Sequence, residues 1–271
     1  MLQCLGNPHG NGGRRRTDMR CGSRPLPAVP VPRHPQRRTH RVPGQPLGAP
    51  RRTRRTAYCL LMPYHSFSVT KTARYFTAGP AIAEAKGVLI ALHGYGQLPE
   101  FFMRRLQPLA DAGWAIVAPE GLHRYYLEGA HGRVGASWMT KEAREDDIVD
   151  YVRYLDALSA ELGLTERRPV LLGFSQGVAT ASRWVAMGQT AFSRLILWSG
   201  VFPPDYPWES GTEPMKAMRV DVALGTEDAF FDDSLLKTTA SVLDANAVPF
   251  TAHSFQGGHA IDTELLQRLL D

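Results

Sequence analysis

From about residue 65 onward, the chain alternates between short apolar runs and longer stretches in which polar and apolar positions are mixed. Most of the apolar runs are continuous, as is typical of parallel strands that are buried on both faces. They are preceded by HSFSVTKTARYFTAG, which alternates and predicts one or two antiparallel edge strands. We predict further strands in GVLIALHG, WAIVAPE, PVLLGF, SRLILWSG, MRVDVALG and VPFTAHSF.

Helical periodicity fills most of the segments between these runs. Between Glu142 and Leu162, apolar residues recur near the helical period, which predicts a long amphipathic helix. Further helices are predicted over residues 99–112, 176–187, 232–246 and 260–270. The alternation of strands and helices over short links predicts an α/β fold, with a mostly parallel, doubly wound sheet and helices on both faces.

The beginning of the chain does not share this pattern, because its nine prolines and seven glycines show no periodicity. Such a segment cannot bury enough apolar surface to offset the entropy lost on ordering. We expect residues 1–61 to be a disordered Arg/Pro/Gly-rich extension and residues 62–271 to be the folded domain. A transit peptide would hold more serine than Ser23 alone, and a nucleic-acid-binding tail would interleave aromatic residues, none of which precedes Tyr58. We favour the hypothesis that Met62, or a position near it, is the natural start.

The net charge of +5 conceals a division between the two parts of the chain. Residues 1–55 carry 13 of the 31 Lys and Arg residues but a single acidic one, Asp18. The rest of the chain carries 18 basic and 25 acidic residues, so the folded part is mildly acidic. We therefore expect no nucleic-acid partner for the folded domain, since the basic excess belongs to the extension.

The cysteines exclude several kinds of site from the folded part. Cys4, Cys21 and Cys59 all precede it, so we expect no disulfide, no cysteine-based metal site and no cysteine nucleophile there. No apolar stretch approaches the length of a transmembrane helix, and the basic N-terminus lacks the apolar region of a signal peptide. These observations predict a cytoplasmic protein.

A candidate nucleophile lies in GFSQG, residues 173–177, directly after a predicted strand and before a predicted helix. The G-x-S-x-G string alone is a weak motif, but the strand–turn–helix context is what a nucleophile elbow requires. Gly173 and Gly177 would leave room for the sharp turn, and Ser175 would project its hydroxyl above the sheet. A serine also needs a base that accepts its proton.

The base and its acid are predicted from their places at strand ends, because ligands of open α/β sheets bind beyond the carboxyl ends of the strands. His259 follows two glycines at such an end, whereas His253 lies within a strand and His93 is interpreted as shaping its loop. Asp228 also follows a strand, and it completes the order Ser, Asp, His that is typical of α/β-hydrolases. The other acidic candidates are Glu227, Asp232, Asp233 and Asp221.

Two backbone amides are needed to stabilise the oxyanion that a nucleophilic serine would create. One is predicted to be the N–H of Gln176, directly after the nucleophile. The other is expected from the glycine-rich turn HGYGQ, in which the Tyr95 N–H is the candidate.

Several segments together resemble the phospholipase/carboxylesterase family of α/β-hydrolases, which includes acyl-protein thioesterases and small bacterial esterases. They are LHGYG at residues 92–96, GFSQG at 173–177, GTEDAF around Asp228 and GGHAI at 257–261. GASWM at residues 135–139 resembles the family's Ser-Trp segment, which borders the acyl pocket. The resemblance spans about residues 65–271 and implies the α/β-hydrolase fold. It also implies hydrolysis of carboxylic esters or thioesters through an acyl-enzyme, with no cofactor and no metal.

The sequence departs from this family in three places. Val178 stands where members often have another glycine, and Gln97 stands where the thioesterases commonly have an acidic residue. The segment 121–138 is rich in His, Tyr and Arg, which favours a smaller or more polar ester over a long acyl chain. The residues that we expect in the substrate pocket are Trp138, Tyr125, Tyr126 and Arg133. For the last three, an exposed surface loop is the alternative interpretation.

We therefore expect a serine esterase whose substrate is a small-molecule ester or thioester. The alternatives are a peptidase or another acyl hydrolase on the same fold, and a non-catalytic α/β-hydrolase scaffold that binds a ligand or partner. A nucleic-acid-associated role would depend on the basic extension. The sequence leaves the oligomeric state open, with a homodimer among the options.

The expected start near Met62 can be tested by peptide mass mapping of the endogenous protein. We expect peptides from the folded part and none from residues 1–55, because translation would begin after that segment. Recovery of peptides from residues 1–55 would refute this expectation.

Overall fold

A single, mostly parallel sheet holds seven of the strands in the computed structural model, which describes residues 64–271. The described strands are β1 (Tyr75–Ala78), β2 (Gly87–Leu92), β3 (Trp114–Pro119), β4 (His123–Glu128), β5 (His131–Ser137), β6 (Val170–Phe174), β7 (Arg194–Trp198), β8 (Arg219–Gly225) and β9 (Thr251–Phe255). Their order in the sheet is β1-β3-β2-β6-β7-β8-β9, and only β1 runs antiparallel to its neighbour. The predicted α/β fold is confirmed, whereas the expected extension at residues 1–61 lies outside the described residues.

Helices cover both faces of this sheet. The described helices are α1 (Pro99–Phe102), α2 (Gln107–Asp111), α3 (Arg144–Glu161), α4 (Gln176–Met187), α5 (Trp208–Lys216), α6 (Asp233–Ala245) and α7 (Thr263–Leu270). Alternate side chains of β2 enter different cores: Ile90 packs with residues of α3 and α4, and Leu89 packs with residues of α2 and α7. Burial on both faces explains why the strands are continuously apolar. None of the described helices has the length and apolar character needed to cross a bilayer.

The helix predicted over residues 99–112 is wrong in one respect, because it is interrupted. A 3-10 turn at Met103–Arg105 separates α1 from α2. Pro108 lies in the first turn of α2, where it has no N–H to donate to the preceding turn and its ring clashes with a continuing helix. Arg105 is the last residue of this 3-10 turn, and it is also one of the residues that line the cavity described below.

Three elements, two strands and one helix, were not predicted from the sequence. The antiparallel hairpin of β4 and β5 lies outside the main sheet, and its mixed polar and aromatic residues lack a clear apolar face. Helix α5 contains both Gly211 and Pro214, which weaken a helical pattern. At the first edge of the sheet, only β1 forms within the segment predicted to hold one or two strands.

A buried ion-pair cluster ties three strands together below the site. Asp221 of β8 is fully buried and accepts a hydrogen bond from Arg194 Nε of β7 at 2.6 Å. His253 Nε2 of β9 lies 2.7 Å from the other Asp221 oxygen, so His253 belongs to this cluster. Arg219 Nε is 3.6 Å from the same carboxylate. Asp221 is therefore a structural residue of the sheet.

We expect Asp221→Ala to lower the free energy of unfolding by about 3–5 kcal/mol, because it leaves the buried Arg194 guanidinium without its counter-charge. Urea denaturation followed by circular dichroism measures the change. Asp150→Ala is the control, since Asp150 is exposed on α3 and its removal should change stability by no more than about 0.5 kcal/mol. Equal stability of the two variants would show that the cluster does not stabilise the sheet.

Candidate active site

Ser175 occupies a strained turn between β6 and α4. Its φ of 54° and ψ of −116° lie in a region that residues with a side chain rarely adopt. A Cβ on Gly173 would lie 2.4 Å from the Gly177 carbonyl oxygen, and one on Gly177 would lie 2.3 Å from the Leu92 carbonyl oxygen. Only glycine fits at either position, which is the geometry of a nucleophile elbow.

Three polar side chains form a continuous hydrogen-bond chain above the sheet. His259 Nε2 lies 3.0 Å from Ser175 Oγ, and His259 Nδ1 lies 2.8 Å from Asp228 Oδ2. Ser175 follows β6, Asp228 follows β8 and His259 follows β9, so each side chain stands at the carboxyl end of a parallel strand. The structure therefore brings together the three residues that the sequence singles out as nucleophile, acid and base.

Asp228 is held as a carboxylate. Its side chain is fully buried, and Oδ1 accepts hydrogen bonds from the N–H groups of Phe230 at 2.9 Å and Phe231 at 3.2 Å. Burial opposes ionisation, but the hydrogen bonds from His259 and the Phe230 N–H outweigh it and hold the pKa of Asp228 below its usual value. The neighbouring Ser199 hydroxyl contributes in the same direction.

Ser199 was not singled out in the sequence. It directly follows β7, its φ is 46°, and its hydroxyl is buried without a hydrogen bond of ordinary geometry to any described residue. The S-G pair after an apolar run was the available signal, since it marks another strand end. Gly200 is needed there because a Cβ would lie 2.2 Å from the Ser175 carbonyl oxygen.

The other acidic candidates lie elsewhere. Asp232 caps α6, where its side chain accepts a hydrogen bond from the Ser234 N–H at 2.9 Å. Asp233 is the first residue of that helix. Glu227 is exposed, and only its backbone N–H contacts the histidine loop, through Gly257 O at 2.9 Å.

Aromatic rings surround the His259 imidazole. Phe174 lies 4.9 Å from it between ring centroids, Phe230 lies 4.8 Å away and Phe231 lies 5.7 Å away. Phe230 is nevertheless 73% exposed. The two phenylalanines of AFF, directly after Asp228, are the signal of this aromatic surround in the sequence.

His93 is buried and shapes the loop that follows β2. Its Nδ1–H donates to the Gly94 carbonyl oxygen at 2.8 Å, and its Nε2 accepts from the Gly121 N–H at 3.0 Å. Burial lowers the pKa of His93 to about 4, so the ring is neutral at physiological pH. Both ring nitrogens are occupied by backbone partners, which agrees with the interpretation of His93 as a loop-shaping residue.

The two amides expected to bind an oxyanion flank this loop and the elbow. Neither the Tyr95 N–H nor the Gln176 N–H donates a hydrogen bond to a residue in the described part of the chain. The loop is braced by the hairpin, since Gly96 N–H donates to Ala136 O at 2.8 Å and Ala136 N–H donates to Gln97 O at 3.2 Å. The Gln97 side chain caps the turn by accepting from the Gly94 N–H at 2.9 Å.

The Gln176 side chain connects the elbow to the end of the hairpin. Its carbonyl oxygen accepts from the Trp138 N–H at 3.1 Å, and its amide nitrogen donates to Met139 O at 2.9 Å. The Ser137 hydroxyl lies within hydrogen-bond distance of both groups. Gln176 thus holds the segment of residues 137–139 against the nucleophile.

A cavity of about 660 Å³ opens beside His259. Arg133 lines it, as expected for the substrate pocket, and its neighbour Val134 does so too. Trp138 does not, because it is fully buried, packs 5.0 Å from the His93 ring and donates its indole N–H to His93 O at 2.8 Å. Tyr125 packs 5.3 Å from the Tyr95 ring outside the cavity wall, and Tyr126 is about half exposed. The lining residues are Gly96, Gln97, Leu98, Glu100, Phe101, Phe102, Arg105, Leu127, Arg133, Val134, Phe174, His259, Ala260 and Ile261.

The described residues contain no group of three or more His, Cys, Asp or Glu side chains that could hold a metal ion.

A profile of the phospholipase/carboxylesterase family matches residues 76–271. A search of curated proteins found no match to the chain.

Several solved structures share the fold. Esterase PE8 superposes with a TM-score of 0.59 at 22% sequence identity, covering 74% of this chain and 98% of that protein. Acyl-protein thioesterase 2 from Zea mays superposes with a TM-score of 0.57 at 18% identity, covering 73% and 96%. The carboxylesterase from Bacillus cereus superposes with a TM-score of 0.53 at 17% identity, covering 73% and 91%. At identities this low, the superpositions establish the shared fold and nothing more specific.

We expect Gly135→Ala to slow hydrolysis of short para-nitrophenyl esters at least tenfold, with a destabilisation of about 1–3 kcal/mol. The added Cβ would lie 2.4 Å from the Gly96 carbonyl oxygen, so the loop that carries the Tyr95 amide must shift. The rate constant kcat and the melting temperature measure the two effects.

Gly132→Ala is the matched control in the same hairpin. Gly132 has a φ of 89° and nothing within 4 Å of an added Cβ, so this substitution strains the hairpin tip without touching the loop. It should lower the melting temperature and leave kcat unchanged. An equal loss of kcat in both variants would mean that the contact with Gly96 does not position the loop.

Proposed function

Because the chain belongs to the phospholipase/carboxylesterase family of α/β-hydrolases, we propose that it cleaves carboxylic esters or thioesters through an acyl-enzyme formed on Ser175. The observation that carries the proposal is the hydrogen-bond chain from Ser175 through His259 to Asp228, with contacts of 3.0 and 2.8 Å. Such a chain supplies what a serine hydroxyl lacks by itself, which is a base within reach of its proton.

In the first half of the reaction, Ser175 Oγ attacks the ester carbonyl carbon while His259 Nε2 takes its proton. The carbonyl electron pair moves to the oxygen, and a tetrahedral intermediate forms. When the bond to the leaving oxygen or sulfur breaks, His259 returns the proton to that atom. The acyl group then remains as an ester of Ser175.

In the second half, water takes the place of the serine as nucleophile. His259 Nε2 accepts a water proton as the water oxygen attacks the acyl carbon, and it returns the proton to Ser175 Oγ when the acyl acid leaves. Asp228 orients the imidazole through Nδ1 and stabilises the imidazolium in both halves. The lowered pKa of Asp228 supports this role, because it favours the charged form of the carboxylate.

The N–H groups of Tyr95 and Gln176 bind the oxyanion in this proposal. Both are free of partners within the described residues, and Gln176 begins α4, whose positive end points toward Ser175. Donors that are fixed before the reaction stabilise developing charge without reorganisation. The paired hydrogen bonds between Gly96, Gln97 and Ala136 support such rigidity on the Tyr95 side.

We propose further that the substrates are small molecules, that no cofactor takes part, and that the enzyme works in the cytoplasm. The cytoplasmic setting is supported by the cysteines, all three of which precede Met62. That the protein forms a homodimer remains one of the predictions from the sequence.

Ser175→Ala is expected to abolish labelling by a fluorophosphonate and to lower kcat/KM for short para-nitrophenyl esters by roughly a thousandfold or more. The reason is that no other hydroxyl is in contact with His259 Nε2 among the described residues. Gel fluorescence and a spectrophotometric assay measure the two effects.

Ser254→Ala is the matched control, since it removes one hydroxyl from an exposed position of β9. It should keep both labelling and turnover. Full hydrolysis by Ser175→Ala would exclude the mechanism, and a wild-type protein that neither reacts nor turns over would indicate the ligand-binding scaffold.

A further inference from the structure

The cavity beside His259 has an apolar base and a charged mouth. Phe102, Phe174 and Ile261 line the base, and each is 5% exposed or less. Arg105 and Arg133 also line the cavity, but both are exposed, and the Arg133 side chain is 79% exposed. Exposure therefore increases from the phenylalanines next to the triad outward to the two guanidinium groups.

The Arg105 guanidinium makes no ion pair and no hydrogen bond within the described residues, whereas its backbone carbonyl accepts from the Thr263 hydroxyl at 3.0 Å. Arg133 has one loose contact, to exposed Glu128 at 3.3 Å. Most other arginines of the described chain have a carboxylate or carbonyl partner, such as Arg74 with Glu120 at 2.6 Å. Two guanidinium groups with few or no hydrogen-bond and ion-pair partners thus lie at the mouth of one cavity. The folded part that carries them is acidic as a whole.

We propose that this cavity selects esters and thioesters whose apolar chain ends in an anionic group, such as a carboxylate, which Arg105 and Arg133 bind at the mouth. The proposal rests on the proposed serine hydrolase function and names its substrate class. The apolar part of the chain would pack on Phe102, Phe174 and Ile261, next to His259. The anion would then lie where both guanidinium groups can donate charge-assisted hydrogen bonds.

One acidic residue, Glu100, also lines the cavity. It lies close enough to Arg74 to add to the rise in that residue's pKa, which the Glu120 hydrogen bond mainly causes. Arg74 therefore partly balances the negative charge of Glu100, but that charge still opposes the binding of an anion at the mouth. Glu100 thus offers a variant whose effect should have the opposite sign to that of an arginine variant.

Two pairs of isosteric substrates test the proposal, one with the charge on the acyl side and one with it on the alcohol side. The first pair is the mono-para-nitrophenyl ester of suberic acid and the terminal amide of the same ester. The second is ω-(butanoyloxy)hexanoate and its terminal amide. Chromatography measures the hydrolysis of this pair. The long spacers keep the carboxylate away from the ester carbonyl. The ratio of kcat/KM for the acid to that for the amide is measured at low and high salt.

In at least one pair, the wild-type protein is expected to prefer the acid about tenfold at low salt, and the preference should fall as salt screens the exposed arginines. Arg105→Gln should remove most of this preference, because it removes one of the two positive charges that would bind the carboxylate. Glu100→Gln should increase the preference. Arg104→Gln is the matched control, because it removes the same charge from the adjacent residue, which packs over the Phe101 ring 4.7 Å away and does not line the cavity.

Equal hydrolysis of acid and amide in both pairs by the wild-type protein would overturn the proposal, as would an equal effect of Arg104→Gln and Arg105→Gln. Either result would leave the serine hydrolase function intact, since the amide esters are still turned over. Failure of that function has a different signature, which is turnover of neither member of either pair.

Discussion

The close packing of backbone around Ser175 is the constraint on which the rest of the site depends. The serine can adopt its strained backbone only if the neighbouring chain approaches without side chains, and Gly94, Gly173, Gly177 and Gly200 provide that space. A Cβ on Gly94 would lie 3.0 Å from the Ser175 Cβ. These glycines come from the ends of β2, β6 and β7 and from the first turn of α4. The elbow is therefore a property of several sheet strands at once, and the strain of one residue is balanced by the buried sheet beneath it.

Much of this arrangement could be predicted, because buried parallel strands have a clear pattern in the sequence. Burial on both faces makes them continuously apolar, so their carboxyl ends can be located, and Ser175, Asp228 and His259 each follow such an end. The topology then makes neighbours of residues that are distant in the chain. For this reason, the main sheet and the positions of the three polar side chains could be predicted from the sequence.

Other parts could not be predicted, because their positions depend on packing that leaves little trace in the local pattern. The β4–β5 hairpin has exposed residues on both faces over much of its length, so it lacks the alternation that indicates a half-buried strand. Trp138 is predicted to be a pocket residue, yet its indole N–H donates to the His93 carbonyl oxygen in the core. Arg105 is one of several basic residues in a segment predicted to be helical, and nothing in the local pattern indicates that it lines the cavity.

The hairpin contacts two parts of the candidate site, the loop that carries the Tyr95 amide and the cavity beside His259. Its β5 strand pairs with the loop through Ala136, and the chain directly after it is held by the Gln176 side chain. The same hairpin sends Arg133 and Val134 into the cavity wall. Arg133 and Ala136 thus lie three residues apart on one strand, so the cavity wall and the loop that carries the Tyr95 amide rest on the same β5 backbone.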